Sequence, residues 1–314
     1  MGRSLRPGLA FATCLACVWI GFGLNPASAQ TRTFGIALGT SHYLGDVGGS
    51  QSIWPWGASD LQKSRFAISG YTEKPLNGRW QIHTGASIVQ LAGDDRYADS
   101  PSRIARNLHF RTMLAEAHCR GQFKFYDRPR HWNRSAGSRA YVFLGVGALA
   151  YTPKAQLRNE VNDVLNPTWY NLRELKTEGQ ADPYSLFALS FPMGIGMDWN
   201  LIGGWQLGVE LSWRYTSTDY LDDVSRTYGN PLEMGDLAHQ LSSQANAYSI
   251  ALAGEEGGSI LDHQYSGSYE VKRGNPDFKD GFATLQMTIS RPNGTLRSRP
   301  GSWVGGFRKQ RRAR

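Results

Sequence analysis

Cysteine is almost missing from this chain. Of three in 314 residues, Cys14 and Cys17 lie inside an apolar run near the N-terminus, which leaves Cys119 alone downstream. That excludes an internal disulfide framework and any thiolate metal cage. The seven histidines (His42, His83, His109, His118, His131, His239, His263) have no metal-ligand spacing either. Downstream of Ala29 no stretch of ~18 uninterrupted apolar residues occurs, so no transmembrane helix is expected there. Acidic residues are missing from Ser290 to Arg314, where Arg291, Arg297, Arg299, Arg308, Lys309, Arg311, Arg312 and Arg314 stand uncompensated. Those eight cations account for the whole net charge of +8, and the remaining Lys and Arg balance the 26 Asp and Glu. The high pI therefore belongs to a tail and gives no reason to expect a nucleic-acid partner for the body.

At the N-terminus, Arg3 and Arg6 precede the apolar run Leu9–Leu24, and Ala27-Ser28-Ala29 supplies a small-residue cleavage site. These are the three parts of a secretory signal, with maturation expected after Ala29. The expected organisation is a signal peptide at 1–29, a body at 30–289 and a basic periplasmic tail at 290–314.

The body is organised around Trp205–Thr216. Trp205, Leu207, Val209, Leu211, Trp213 and Tyr215 alternate with Gln206, Gly208, Glu210, Ser212, Arg214 and Thr216. Successive side chains of a strand point to opposite faces, so one face is apolar and the other polar. Its length suits the ~10-residue tilted strand that crosses a bilayer. Seven more segments read as strands: Thr33–Tyr43, Arg65–Lys74, Trp80–Leu91, Thr112–Tyr126, Ala140–Tyr151, Leu186–Asn200 and Phe282–Ile289. Pro75-Leu-Asn-Gly78 is hairpin punctuation. Links after the second, fourth and sixth strands are short or moderate, and those after the first, third, fifth and seventh are long. Loop lengths segregated by side are the pattern of an outer-membrane barrel. The predicted fold is therefore all-β, an eight-stranded antiparallel transmembrane β-barrel with long external loops, in contact with outer-membrane lipid. A short helix is expected within Leu232–Ala253.

Eight strands leave an interior just wide enough for side chains, so a packed polar lumen is expected rather than a pore. Glu116, His118, Arg120, Lys124, Asp198, Glu210 and Arg214 fall on the inward face. Buried charges must pair, and Glu116 with Arg120 and Glu210 with Arg214 are same-face neighbours on their strands. The reading is of structural ion pairs, with a proton or ion pathway as the alternative.

Candidate chemistry is thin, and no cofactor is expected. Gly145-Val-Gly-Ala-Leu-Ala150 fits a loose dinucleotide fingerprint, but Tyr151-Thr-Pro153 follows where a helix should open. Small lumen-facing residues explain it better. Asp219, Asp222 and Asp223 carry oxygen ligands of the kind calcium prefers, without a regular binding loop. Ser41-His42 stands where a lipid-modifying hydrolase of barrel type would hold a catalytic pair, yet no carboxylate completes a triad. An enzyme is not expected.

Four motifs gather on the side opposite the termini: Tyr43-Leu-Gly45-Asp46, Thr177-Glu178-Gly179-Gln180, Asp219-Tyr220-Leu-Asp222-Asp223-Val-Ser225, and Arg273-Gly274-Asn-Pro with Lys279-Asp280. Their acids, with Arg273 as partner, are expected to tie the loops into a lid over the barrel mouth. In these motifs and their order, from Phe34 to Ile289, the chain resembles the PorG-like outer-membrane barrel family of the type IX secretion and gliding-motility machinery. The resemblance implies an anchor or accessory subunit with periplasmic secretion-complex proteins as partners. An autonomous surface barrel or lipid-modifying enzyme is the alternative.

Overall fold

The computed structural model describes residues 32–48, 63–128, 137–159, 163–254 and 272–293. The expected signal peptide, most of the basic tail and part of the 226–271 link lie outside the described residues. Nine strands are present: β1 (Arg32–Leu44), β2 (Arg65–Pro75), β3 (Trp80–Asp94), β4 (His109–Arg128), β5 (Ser138–Arg158), β6 (Leu165–Asn171), β7 (Phe187–Asn200), β8 (Gln206–Thr216) and β9 (Gly281–Asn293). All pairings are antiparallel, in the order β4-β3-β2-β1-β9-β8-β7-β5, and β4 pairs with β5 to close the ring. Eight strands thus form a closed barrel, in which β1 and β9 pair from Arg32↔Asn293 to Leu44↔Gly281.

The strands form where the period-2 alternation runs, and they end where it breaks. At the β2–β3 turn the side-chain oxygen of Asn77 accepts from the backbone N–H groups of Arg79 and Trp80, at 2.9 and 2.8 Å. The link expected at Thr152–Tyr184 needs correction. There β5 continues to Arg158 and pairs with β6, which pairs with no other strand among the described residues. At 20 and 21 residues, β4 and β5 greatly exceed what a bilayer crossing needs, so their ends form an overhang. The single helix expected within Leu232–Ala253 is two: α3 (Asp236–Ser242) and α4 (Ala247–Ala253), the latter opened by an Asn246 capping box. Two shorter helices, α1 (Pro101–Arg106) and α2 (Leu172–Leu175), sit in the other connections at this end.

The barrel is inverted relative to a water-soluble one. Phe34, Ile36, Leu38, Ile68, Leu144, Val146, Ile195 and Met287 are exposed on its outside, Ile36 by 53% and Leu144 by 61%. Ser69, Gln81, His83, Ser87, Glu116, Arg120, Gln122, Glu210, Arg214 and Gln286 are buried inside. An apolar cluster sits beneath the connections at one end: Tyr43, Val47, Leu91, Leu108, Phe110, Leu114, Leu149, Leu221, Val224 and Phe282, among others. Leu221 and Val224 come from the link after β8, so that link reaches down into the mouth and corks it.

Candidate functional site

Two polar assemblies fill the barrel, one in the lumen and one across the mouth. In the lumen the ion pairs run across the barrel and not along the strands. Arg120 of β4 grips Glu210 of β8 through both guanidinium nitrogens, at 2.7 and 2.5 Å. Arg214 of β8 reaches Glu116 of β4 at 2.8 Å. The same-strand pairs expected from spacing, Glu116–Arg120 and Glu210–Arg214, are thereby replaced by crossed ones. Each carboxylate takes a further donor: the Ser190 hydroxyl at 2.6 Å on Glu116 and the Tyr141 hydroxyl at 3.2 Å on Glu210. Arg214 also donates to Thr284 at 2.9 Å, and Arg120 lies 3.9 Å over the Phe143 ring. Expected lumen residue His118 lies 3.5 Å from Glu116, and Asp198 lies 3.3 Å from Arg139. The cavity left among these groups is about 10 Å³, room for about one water.

Lumen glycines make this fit possible. A Cβ on Gly145 would meet the Cys119 carbonyl oxygen at 2.4 Å, and one on Gly147 would meet the Ser190 hydroxyl at 2.4 Å. The dinucleotide-like Gly145–Ala150 run is therefore barrel wall packed against β4 and β7.

At the mouth, residues of the four motifs lie together. Arg273 is buried and donates to Glu178 at 3.2 Å, to the Ser242 carbonyl at 3.1 Å and to the Asp223 carbonyl and side chain. Glu178 also accepts the backbone N–H groups of Ser225 and Arg226 at 2.8 and 3.0 Å. Asp223 accepts from the Thr177 and Tyr184 hydroxyls. Asp219 accepts from Ser225, and the Gln180 side chain takes the Glu178 N–H. Tyr220 stacks on Tyr184 at 4.4 Å. Asp46 accepts from the Asn275 N–H at 2.7 Å. The Tyr43 hydroxyl donates to Asp280 at 2.5 Å, Asp280 accepts from the Leu221 N–H at 2.8 Å, and Asp222 accepts from Val47 and Val224. Gly45 is required at its position, because a Cβ there would overlap the Tyr43 hydroxyl and Asp280. A Cβ on Gly274 would meet Asp46, and Gly179 takes a positive φ of 68° that a side chain on that residue would resist.

Burial, followed by the charge of Asp46, pushes the Asp222 carboxyl up to about 8. Burial also raises Asp223 to about 6, against the pull of Arg273. Asp280 moves up strongly for the same first reason, with the Asp222 charge next. These acids turn to separate backbone and hydroxyl donors, and among the described residues no three His, Cys, Asp or Glu side chains converge as metal ligands would.

Sequence reasoning missed two further arginines of the mouth. Arg106 forks onto Asp95 at 2.8 and 3.0 Å and donates to the carbonyls of Asp46 and Arg273. Arg158 binds Asp94 at 2.9 Å and the Asn107 carbonyl at 3.2 Å, and Asn107 in turn donates to Asp163. Their only trace in the sequence is the charge block Asp94-Asp95-Arg96 at a strand end. Ser41 and His42 are not arranged as nucleophile and base. Ser41 donates to the Gln90 carbonyl, and adjacent strand residues project to opposite faces.

Among solved structures, Neisserial surface protein A is similar at 8% identity, with 84% of this chain and 97% of that one covered and a TM-score of 0.35. The attachment invasion locus protein Ail of Yersinia pestis is similar at 9% identity (84% and 99% covered, TM-score 0.31). CarO2 of Acinetobacter baumannii is similar at 10% (82% and 99% covered, TM-score 0.26). No curated protein matches the sequence. Residues 12–240 match the family described as a domain of unknown function, DUF6089, and the chain belongs to that family.

Proposed function

We propose that this protein is a non-conducting outer-membrane barrel that serves as a structural anchor, an accessory subunit of a type IX-like protein secretion assembly. The observation that carries the membrane part is the inversion of the wall, with aliphatic and aromatic side chains outside and paired charges inside. In water such an exterior would far exceed the apolar patches that monomeric proteins tolerate, whereas lipid requires it. The plugged lumen and the corked mouth support an anchor over a conduit: arginines hold both, and the cavity among the lumen groups is about 10 Å³. The secretion assembly as partner rests on the four mouth motifs, which the geometry explains as one cross-tied unit.

The experiment is isolation from native membranes in mild detergent. Co-purification of periplasmic or lipoprotein secretion components at fixed stoichiometry is the expected result. A lone monomer would refute the accessory role, and one with esterase activity would point to a lipid-modifying enzyme.

A further inference from the structure

Beneath the turn Asp95–Tyr97, where the outer ends of β3 and β4 meet the β5–β6 overhang, a cleft of about 340 Å³ opens on the barrel's side. Neither the lumen nor the lid uses it. Lys63, Arg65, Arg96 and Arg111 line it, and among its lining residues Asp94 is the one carboxylate. That carboxylate is already engaged, by Arg96 at 3.0 Å and by Arg158 at 2.9 Å. Arg111 faces outward in the same row as Met113, so it stands where the apolar belt of β4 ends. Directly opposite it on β5 is Lys154, which is also exposed. Like charges facing each other across a strand pair are destabilising unless an anion lies between or beside them.

His109 supplies an independent observation. Its Nε2 accepts the Gln156 backbone N–H at 3.1 Å, which assigns the ring proton to Nδ1 in the neutral ring. This buried Nδ1 has no hydrogen-bond partner among the described residues, and His109 lines the cleft. A buried N–H without an acceptor is destabilising, so an oxygen brought to it would be favoured. Trp169, 5.3 Å from the Arg111 guanidinium, walls the outer side, as aromatic rings do where hydrocarbon gives way to headgroups.

We infer that this cleft binds a phosphate-class oxyanion carried on a lipid headgroup, held by the Arg65 and Arg111 guanidiniums beside the buried His109 ring. Guanidinium forks match the geometry of a tetrahedral oxyanion, and the position at the edge of the apolar belt favours an anion whose acyl chains lie along the wall. The lipid source rests on the membrane reading above; the anion site does not.

The test uses the full chain, purified in neutral detergent and confirmed folded by its heat-shifted gel mobility. Dioctanoyl phosphatidic acid, dioctanoyl phosphatidylcholine and inorganic phosphate are titrated separately, with native mass spectrometry as the readout. One phosphatidic acid retained per barrel is expected, with phosphatidylcholine bound much more weakly. Arg111→Ala, at an exposed position, should weaken retention about tenfold, the loss of one charge-assisted contact. Arg65→Ala/Arg111→Ala should abolish it. Arg291→Ala removes an equal charge beside Trp205 at the opposite end of the barrel and should leave retention unchanged. Inorganic phosphate that binds as tightly as the lipid, and competes with it, would overturn the lipid source. Unchanged retention in Arg111→Ala, or an equal loss in Arg291→Ala, would overturn the site. Insertion of the wild-type barrel into phosphatidylcholine vesicles, measured alongside, reports on the membrane reading by itself.

Discussion

The crossed ion pairs of the lumen make a quantitative prediction that distinguishes them from pairs formed along a strand. Replacing Arg214 by Met strands the Glu116 carboxylate, which is buried and keeps only the Ser190 hydroxyl at 2.6 Å and the His118 ring at 3.5 Å. Breaking a buried pair from one side costs about 3–5 kcal/mol, mostly because the remaining charge stays desolvated. Glu116→Gln alone strands Arg214 in the same way. With both changes together no charge is left unpaired, so the double variant should cost less than the two singles summed. A coupling of about 2–3 kcal/mol is expected for Glu116/Arg214, and again for Glu210/Arg120. Within strands the outcome differs. Glu116/Arg120 and Glu210/Arg214 are four residues apart, roughly 13 Å along the chain, and their single-variant costs should add to within about 0.5 kcal/mol. The assay is urea unfolding of barrels folded into phosphatidylcholine vesicles, followed by tryptophan fluorescence. Within-strand couplings as large as the cross-barrel ones would refute the pairing.

Val209, 38% exposed on the outside of β8, and Ser212, fully buried inside it, test the wall itself. Val209→Arg should cost about 2–4 kcal/mol in lipid and much less in detergent, whereas Ser212→Arg should be disruptive in both, and equal behaviour in an unfolding titration would contradict the face assignment. Arg273→Ala strands Glu178 and Asp223 and should destabilise the lid by about 3–5 kcal/mol, read as faster amide exchange in Ser217–Ser225 while the barrel keeps its heat-shifted mobility. The raised Asp222 and Asp223 carboxyls hold protons in the folded state that they release when unfolded, so their contribution is most favourable below the usual carboxylate range. It is lost as pH rises towards about 8. Lid protection factors, corrected for base-catalysed intrinsic exchange, should therefore fall between pH 5 and 8.5, and Asp222→Asn should flatten that profile. Gly45→Ala pushes a methyl into the Tyr43–Asp280 contact and should loosen the lid without affecting the lumen, as limited proteolysis of the connections would show.

The barrel was legible in the sequence because a strand's period is short and local. Each stretch such as Trp205–Thr216 declares both of its faces without reference to any other. The mouth motifs were legible for a related reason. Glycines beside charged residues, as in Gly45-Asp46 and Arg273-Gly274, mark places where backbone must pass close to a charged group. Strand β6 was not legible, since Leu165-Asn-Pro-Thr-Trp-Tyr-Asn171 carries a proline and no clean alternation. It forms because the over-long β5 offers its free edge. Arg106 and Arg158 escaped notice for want of any periodic frame: one ends a helix and the other ends a strand.

The lumen pairing failed for a deeper reason. Spacing along one strand shows which residues share a face, but a closed barrel brings that face against strands far away in the chain. Between β4 and β8 lie 77 residues, from Arg128 to Gln206, and only closure through β5 and β7 on one side and β9, β1, β2 and β3 on the other sets Arg120 opposite Glu210. Sequence therefore specifies the set of charges, and topology specifies the matching. Because each arginine draws its carboxylate from the far wall, the pairs act as two cross-braces that resist flattening of the ring. A brace of this kind obstructs any passage through the lumen as directly as it stiffens the wall, so stiffness and closure have a single cause here. The corked mouth repeats the arrangement one level up: Leu221 and Val224 exclude water, and Arg273 ties together the loops that carry them. Both features are what the anchor proposed above would need.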